Sequence, residues 1–597
     1  MSATGRADPS DAKAEPTKTD MDNQRLLIWS FFGVMVFLTW QAWLQDYGPQ
    51  PTPAASPTSE AAVMEAPQAL DTLPELGTET ADAIEAPALT ASGAVEAASD
   101  ATPTTDSIVT VRTDVLDIDI SLRGATLQQA TLLAYPVSKD NPDDLVQMLS
   151  PVANDLGLLQ TGIRVNDRER EPNHLATFVA DRELYELGGD DELAVVFTWS
   201  DEAGVAVEKT FRFERGSYLI EVQQRLINAT GDALVAGGYA QLLRRSREPE
   251  RSMFDVDSYS FDGPIIYDGD KSEKLDRNDL LKAPVQVRTE QGWVATIQHH
   301  FLNAIVPERG TPQIFQVLVD GSVARASVIG AEATRVAPGS ETTFRTTAFV
   351  GPKLQAQLEQ ADETLKLTVD YGWLTIISQP LFWLLSFVYT YVANWGVAII
   401  AVTILIKLAF YKLTEASGRS MAKMREIQPR MKALQERYKD DRQALSQAMM
   451  DLYKREKVNP AAGCLPILIQ MPFFLAFYWV LLESVEMRQA PFALWLTDLS
   501  SRDPFFILPI IMGGAMLFQQ RLNPAPADPV QARVMQIMPV MFTGFFAFFP
   551  SGLVLYWVTN TLLSIAQQWH INKVVAEEGK NKKAGKSKNK KKNKSDD

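Results

Sequence analysis

Apolar residues follow two different rhythms along the chain. Between residues 107 and 350 they alternate with polar ones. "IVTVRTDVLDIDISL" (Ile108–Leu122) and "LAVVFTWSDEAGVAVEKTFRFERGSYLIEVQQRLIN" (Leu193–Asn228) contain period-two stretches rich in β-branched and aromatic residues. This is the pattern of strands with one buried face. Turn residues at Asp201–Gly204 and Gly216 divide the second segment into three strands. Long antiparallel strands joined by short turns predict an all-β sandwich.

Elsewhere the apolar residues run almost unbroken. One run is Leu26–Leu44. The others are Tyr371–Val392, Ala393–Tyr411, Cys464–Val485, Pro504–Leu522, Val534–Phe549 and Gly552–Ile571. About 20 apolar residues in a helix cover the ~30 Å of a bilayer's hydrocarbon. Arg25 precedes the first run and Trp40 and Trp43 close it, as interfacial anchors do. No small-residue cleavage motif follows directly, so the run reads as an uncleaved anchor.

Charge decides which runs cross. The formal net charge is −16 over 597 residues, but it is unevenly placed. Gln45–Val111 holds eleven acids and no Lys or Arg, whereas Lys412–Asn459 holds twelve Lys and Arg against seven acids. The segment from Lys573 onward has ten Lys and four acids. With Arg25 cytoplasmic, the acidic linker and the β domain lie outside. If both Tyr371–Val392 and Ala393–Tyr411 then crossed, the basic insert and tail would also lie outside, against the preference of Lys and Arg for the cytoplasmic side. Tyr371–Val392 carries Trp373, Trp383, Tyr389, Tyr391 and Pro380, and is assigned to the interface.

The expected chain is therefore a polytopic α-helical membrane protein with six spans and both ends cytoplasmic. A cytoplasmic N-terminus (1–25) leads to a first transmembrane helix (26–44), a disordered acidic linker (45–106) and the β domain (107–350). Connecting and interfacial helices (351–392), a second span (393–411) and a basic helical hairpin (412–460) follow. Four further spans (464–571) and a Lys-rich tail (572–597) complete it.

Several chemistries are excluded or weakened. The single cysteine, Cys464, makes no internal disulfide, and four histidines without cysteine partners form no zinc pattern. No G-x-x-x-x-G-K-[ST] motif is present, which argues against a nucleotide-driven motor. No metal or cofactor is expected. His299-His300 in "WVATIQHHFLNAIVP" has no identifiable acid partner, so an enzyme is not expected.

The conspicuous residue is Lys407, inside "VAIIAVTILIKLAFY" (Val397–Tyr411). A lysine near the centre of a span costs about 2.5–3.5 kcal/mol on insertion scales. Thr403, Lys407 and Tyr411 fall on one helix face at i, i+4 and i+8. Gln470, two residues before Pro472, and Thr559 and Asn560 place uncharged polar groups in other spans. Two readings stay open: a lysine snorkelling to the cytoplasmic interface, or the lining of a wet cavity. No acid lies in the interior of the five C-terminal spans, Glu483 falling at the outer end of Cys464–Val485, which disfavours an ion-coupled transporter. The basic insert reads as two helical arms turning at Asp440-Asp441. Arg425, Arg430, Lys432 and Arg437 are its candidate docking residues, for anionic lipid or for a protein or ribosomal partner.

Longer motifs carry a likeness. "GWLTIISQPLFWLL", "MAKMREIQPR", "KVNPAAGCLPILIQMPFFLAFYWVL", "SVEMRQAPFALWLTDLSSRDPFFILPIIMG" and "FPSGLVLYWVTN" closely resemble the YidC/Oxa/Alb family of membrane-protein insertases. "MDNQRLL" and "TDVLDIDI" resemble its Gram-negative form. The resemblance implies a five-helix insertase core around a hydrophilic groove, open to cytoplasm and lipid and closed toward the periplasm. It also implies a periplasmic β-supersandwich like that of sugar mutarotases. The implied activity is insertion and chaperoning of nascent inner-membrane proteins, alone or with the Sec translocon, without nucleotide hydrolysis. Implied partners are nascent membrane proteins, the Sec translocon, anionic lipid and, through the hairpin and tail, the ribosome and signal-recognition-particle receptor; DNA is not among them. Lys407 matches the groove cation, Thr403 and Gln470 match polar groove positions, and Asn560 is placed with them. Tyr556 and Trp557 match an aromatic pair that contacts substrate helices. Two departures stand out. The groove cation is usually Arg, and Lys412 replaces a frequent Pro, which leaves open how that helix ends.

Overall fold

The computed structural model describes residues 107–166, 171–245, 260–439, 441–456, 458, 465–522 and 529–592. The expected first span, the acidic linker and the last five residues of the tail lie outside the described residues.

The alternating segments form strands as their pattern predicts. Leu219–Asn228 buries every second residue, and pairs antiparallel with Val205–Glu214 and Glu341–Pro352. At the turn before Val205, the Asp201 carboxylate accepts the Val205 amide at 2.7 Å, and Gly204 takes φ +98°. These strands belong to a nine-stranded sheet that also holds Trp293–Gln298 and Phe301–Pro307. An eleven-stranded sheet, with Gly157–Val165 and Leu234–Arg245 near its middle, faces it. Phe211, Phe213, Val222 and Ile163 are among the fully buried side chains between them.

The apolar runs form helices, labelled here in chain order. They are α1 (Thr375–Val392), α2 (Trp395–Ala409), α3 (Tyr411–Arg437), α4 (Arg442–Glu456), α5 (Leu465–Glu483), α6 (Ile507–Leu522), α7 (Pro529–Phe546) and α8 (Ser551–Lys592). The two adjacent runs separate at two residues. Ala393 takes a left-handed φ of +50°, and its amide donates to Tyr389 O at 2.8 Å. Asn394 then caps α2 by accepting the Val397 amide at 3.0 Å. The five runs assigned to C-terminal spans correspond to α2, α5, α6, α7 and α8.

Length and apolarity pick out a different helix. Among the described residues, α1 is long and apolar enough to cross a membrane by itself, while α2 with α3 passes only as a pair bent by 70°. Thus the segment that charge topology lays along the interface also meets the length criterion. It exposes Ile376, Trp383, Phe387 and Tyr391.

One expectation fails locally. Thr403, Lys407 and Tyr411 do not share a continuous helix face, because α2 ends at Ala409 and the chain bends at Phe410 before α3 begins. The bend also answers how the helix ends without the proline: Phe410 donates its amide to Ile406 O, and α3 starts afresh. Asp441 caps α4 as expected, accepting the Gln443 and Ala444 amides at 3.0 and 2.9 Å. Ile427, Met431, Met449 and Leu452 are buried between the hairpin arms. Met431 and Met449 therefore help hold the two arms together.

Candidate functional site

Four helices bring their polar positions to one place. About 440 Å³ of empty space, counted out to its mouth, lies between α2, α3, α5 and α8. Its polar lining is Thr403 and Lys407 from α2, Thr414 from α3, Gln470 from α5, and Tyr556 and Asn560 from α8. Ile406, Phe410, Leu413, Ile469 and Phe473 supply the apolar walls. Phe410 and Phe473 meet edge to face, their centroids 5.3 Å apart.

Each polar group is held by its own helix or by the neighbour across the cavity. Thr403 is buried and donates its hydroxyl to Ile399 O at 2.6 Å, within its own helix. The Tyr556 ring stacks on Phe477, their centroids 4.5 Å apart, and its side chain lines the cavity with that of Gln470. Lys407 is half-buried. Its Nζ donates to Ser564 Oγ at 2.7 Å, and Ser564 in turn donates to Asn560 O at 2.7 Å. An ammonium has three donors, and the acceptor given to Lys407 here is one neutral hydroxyl. The cation borders a cavity with hydrogen-bonding capacity left over.

Ser564 escaped the sequence reading, although a signal existed. Tyr556, Asn560, Ser564 and Gln567 recur every three or four residues and so form one stripe on α8. The stripe continues toward α3: Gln567 Nε2 donates to Thr414 Oγ1 at 2.7 Å, and Gln568 Nε2 to Gly418 O at 3.4 Å. Gly418 permits that approach, since a Cβ there would sit 2.7 Å from Ile571 Cδ1. Arg419 closes the same seam through Glu415 and Glu578, at 3.1 and 3.0 Å.

Of the residues singled out in the sequence, Lys407, Thr403, Gln470, Tyr556 and Asn560 converge on the cavity. Trp557 does not line it. One position round α8, it packs against Phe474 at 4.7 Å and Phe546 at 5.3 Å, toward α5 and α7. The hairpin residues Arg425, Arg430, Lys432 and Arg437 are exposed on α3. Arg430 pairs with Glu456 of α4, and Arg437 lies 5.7 Å from the Tyr438 ring.

Comparison with known proteins accounts for nearly the whole chain. Residues 387–578 match the family model described as the 60Kd inner membrane protein, and residues 108–384 match the YidC periplasmic domain. The chain is 46% identical over 572 residues to the membrane protein insertase YidC of Thioalkalivibrio sulfidiphilus, covering 94% of this chain and 100% of that one. It is 44% identical over 570 residues to the protein of the same name from Nitrosococcus oceani, again covering 94% and 100%. A solved structure of an active YidC insertase aligns over 78% of this chain and 92% of its own, at 20% identity and a TM-score of 0.37.

Proposed function

The chain belongs to the YidC family of membrane protein insertases, and we propose that the cavity around Lys407 is where it receives a nascent membrane protein. The observation that carries this reading is a half-buried cation with one hydroxyl acceptor, bordering a space lined by four helices. A client's polar outer flank must cross hydrocarbon, where each unsatisfied polar group costs several kcal/mol. A wet groove reaching partway through the bilayer shortens the dry path. Lys407 offers a transient partner to acids in that flank, and Ser564 holds the ammonium toward the space. The membrane potential assists acidic flanks outward, by about 2.3 kcal/mol per charge per 100 mV. The client helix then leaves sideways past Trp557, Phe474 and Phe546.

In this reading the protein lies in the inner membrane with the β domain in the periplasm. It has six spans, both termini cytoplasmic, and α1 along the outer interface. The exposed Arg425, Arg430, Lys432 and Arg437, with the Lys-rich tail, face the cytoplasm. There they are placed to meet anionic lipid, the ribosome or the signal-recognition-particle receptor. The Sec translocon is a second partner. No nucleotide hydrolysis is involved.

Site-specific crosslinking from Thr403, Gln470 and Trp557 to a stalled nascent membrane protein tests the path. Adducts at Thr403 and Gln470 with a client's polar flank, and at Trp557 with its apolar helix, are expected. Adducts at Trp557 alone would rule out passage through the cavity.

A further inference from the structure

The cavity around Lys407 is closed by different means on its different sides. Toward α8 the closures are polar. Lys407 of α2 reaches Ser564, and α3 is joined to α8 by the Gln567–Thr414 and Gln568–Gly418 hydrogen bonds. Arg419 adds an ion pair to Glu578, and Ala422, Ile571 and Val575 bury one another along the same seam. Parting α3 from α8 would break these bonds and expose apolar surface together.

Toward α5 the closure is a pair of rings. Phe410 and Phe473 meet edge to face, with their planes 68° apart. Both line the cavity and both are half-buried, while Leu408 and Met471 beside them are exposed. The two rings therefore stand between the empty space and the outside. Leu413 and Ile469 line the cavity next to them, so the lining on this side is apolar. One edge-to-face contact is weaker than several hydrogen bonds and an ion pair combined. A contact of that size leaves a parted state populated.

The sequence puts both rings where a helix is locally weak. Phe410 falls between α2 and α3, at the 70° bend, with φ −93° and ψ 9°. Phe473 follows Pro472, which lacks the amide that would close a turn of α5. Small changes of backbone angle at such points turn a side chain without breaking a regular ladder. The next residue, Phe474, lies about 100° further round α5. It packs against Trp557 and Phe546, with centroids 4.7 and 6.1 Å away. That second aromatic closure does not border the cavity, whereas Phe410 and Phe473 do.

We propose that Phe410 and Phe473 form a gate through which a client's polar flank enters the cavity, with the α3–α8 seam as the fixed side. The proposal rests on the insertase reading. Two rings swing clear of one another without leaving a polar group unsatisfied, because neither ring carries one. Closed, they keep hydrocarbon from filling the space beside Lys407. They also set an aperture, so the bulk of the flank governs entry as well as its charge.

Full-length protein in lipid vesicles, given a short single-span client with an acidic flank, tests the gate and the insertase reading separately. Wild-type protein should insert the client, and Lys407→Ala should lose about tenfold. If wild type fails, or Lys407→Ala equals it, the reading of the cavity falls and the gate with it. Phe410→Cys and Phe473→Cys are then combined with Cys464→Ser, which removes the chain's one native thiol. A short bifunctional thiol reagent joins the two positions. Joining should reduce insertion about tenfold or more, and reductive cleavage of the link should restore it to within about twofold. Undiminished insertion by the joined protein would overturn the gate. An equal loss when the reagent is added to either single-cysteine variant would overturn it as well, since added bulk would then be the cause.

Photocrosslinkers at Phe410 and Phe473, each in the otherwise unaltered chain, keep the test independent of any folding defect in the double variant. Adducts with the client's polar flank are expected at both positions. Flank adducts at Thr403 with none at either ring would overturn the gate. Phe410→Ala should raise insertion of a client with a bulky aromatic flank, relative to one with a Gly and Ser flank, about fivefold. An unchanged ratio would mark the rings as a static wall and overturn the gate.

Discussion

Two lysines, one in each half of the molecule, show how the same side chain is used in opposite ways. Lys209 is fully buried between the sheets, and Lys407 is half-buried between helices. Neither takes part in an ion pair among the described residues. Lys209 Nζ donates to Gly124 O at 2.7 Å and Thr161 O at 2.8 Å, and lies 4.7 Å from the centre of the Phe178 ring. Two N–H donors are what a neutral amine possesses, and burial brings the Lys209 pKa down to about 7. The sandwich thus surrounds its lysine and satisfies it. The groove gives Lys407 one hydroxyl and leaves the rest of its capacity facing empty space. What sets the two lysines apart is therefore the unspent hydrogen-bonding capacity and the opening beside Lys407, more than burial.

The strongest way to break the comparison is to remove each cation. Lys407→Ala should reduce client insertion at least about tenfold, equivalent to about 1.4 kcal/mol in the insertion step. Lys407→Arg should keep most of the activity because the charge remains. Vesicle insertion at matched protein levels measures both. Lys209→Met should instead leave insertion per folded molecule unchanged. It should destabilise the sandwich by about 1–3 kcal/mol, because two buried carbonyls lose their donor, as read from thermal unfolding in detergent.

A second contrast lies in pH. Lys209 has its pKa lowered on folding, from 10.5 to about 7. Such a group contributes stability that is complete above the unfolded value and is lost as pH falls through the folded one. Sandwich stability should therefore rise between pH 7 and 10.5, by up to about 1.4 kcal/mol per unit, and Lys209→Met should flatten that slope. In His300, whose Nε2 lies 3.0 Å from Leu482 O near the end of α5, the lowered pKa makes its contribution complete above about 6.5 and lost as pH falls below it. Desolvation raises the half-buried Glu486 to about 7 from 4.5, so its contribution is complete below 4.5 and lost as pH rises to about 7. The two oppose one another between pH 4.5 and 6.5. Replacing Glu486 by Gln should expose the acid-side loss due to His300, measured by hydrogen exchange at the end of α5.

The smallest expected effect is at Ser564. Ser564→Ala removes the hydroxyl that aims Lys407 but keeps the charge. Insertion should fall by less than about fivefold, in line with about 1 kcal/mol for a neutral hydrogen bond. A loss as large as that of Lys407→Ala would mean that the hydroxyl, and not the cation, governs the site.

Much of this was legible in the chain itself. Period-two alternation located the strands, and continuous apolar runs located the helices, because those periods express which faces meet water. The cavity-lining residues Thr403, Lys407, Gln470 and Asn560 were visible as polar groups in apolar runs, where an unsatisfied group is too costly to face lipid, whereas Tyr556 was singled out only through the family resemblance. Spacing extrapolated along an unbroken helix failed at Tyr411, because the chain turns by 70° at Phe410 and spacing carries no information past such a bend. Adjacent residues also parted company: Tyr556 faces the cavity while Trp557, about 100° further round α8, packs toward α7.

Sequence by itself determined the class of each segment and the residues that had to avoid lipid, since both follow from local hydropathy and period. Tertiary structure alone decided the partners. Ser564 meets Lys407 across 157 positions, and His299 and His300 reach Leu482 across 183 and 182. Contacts that distant depend on how sheets and helices pack in three dimensions, and no local pattern along the chain encodes them.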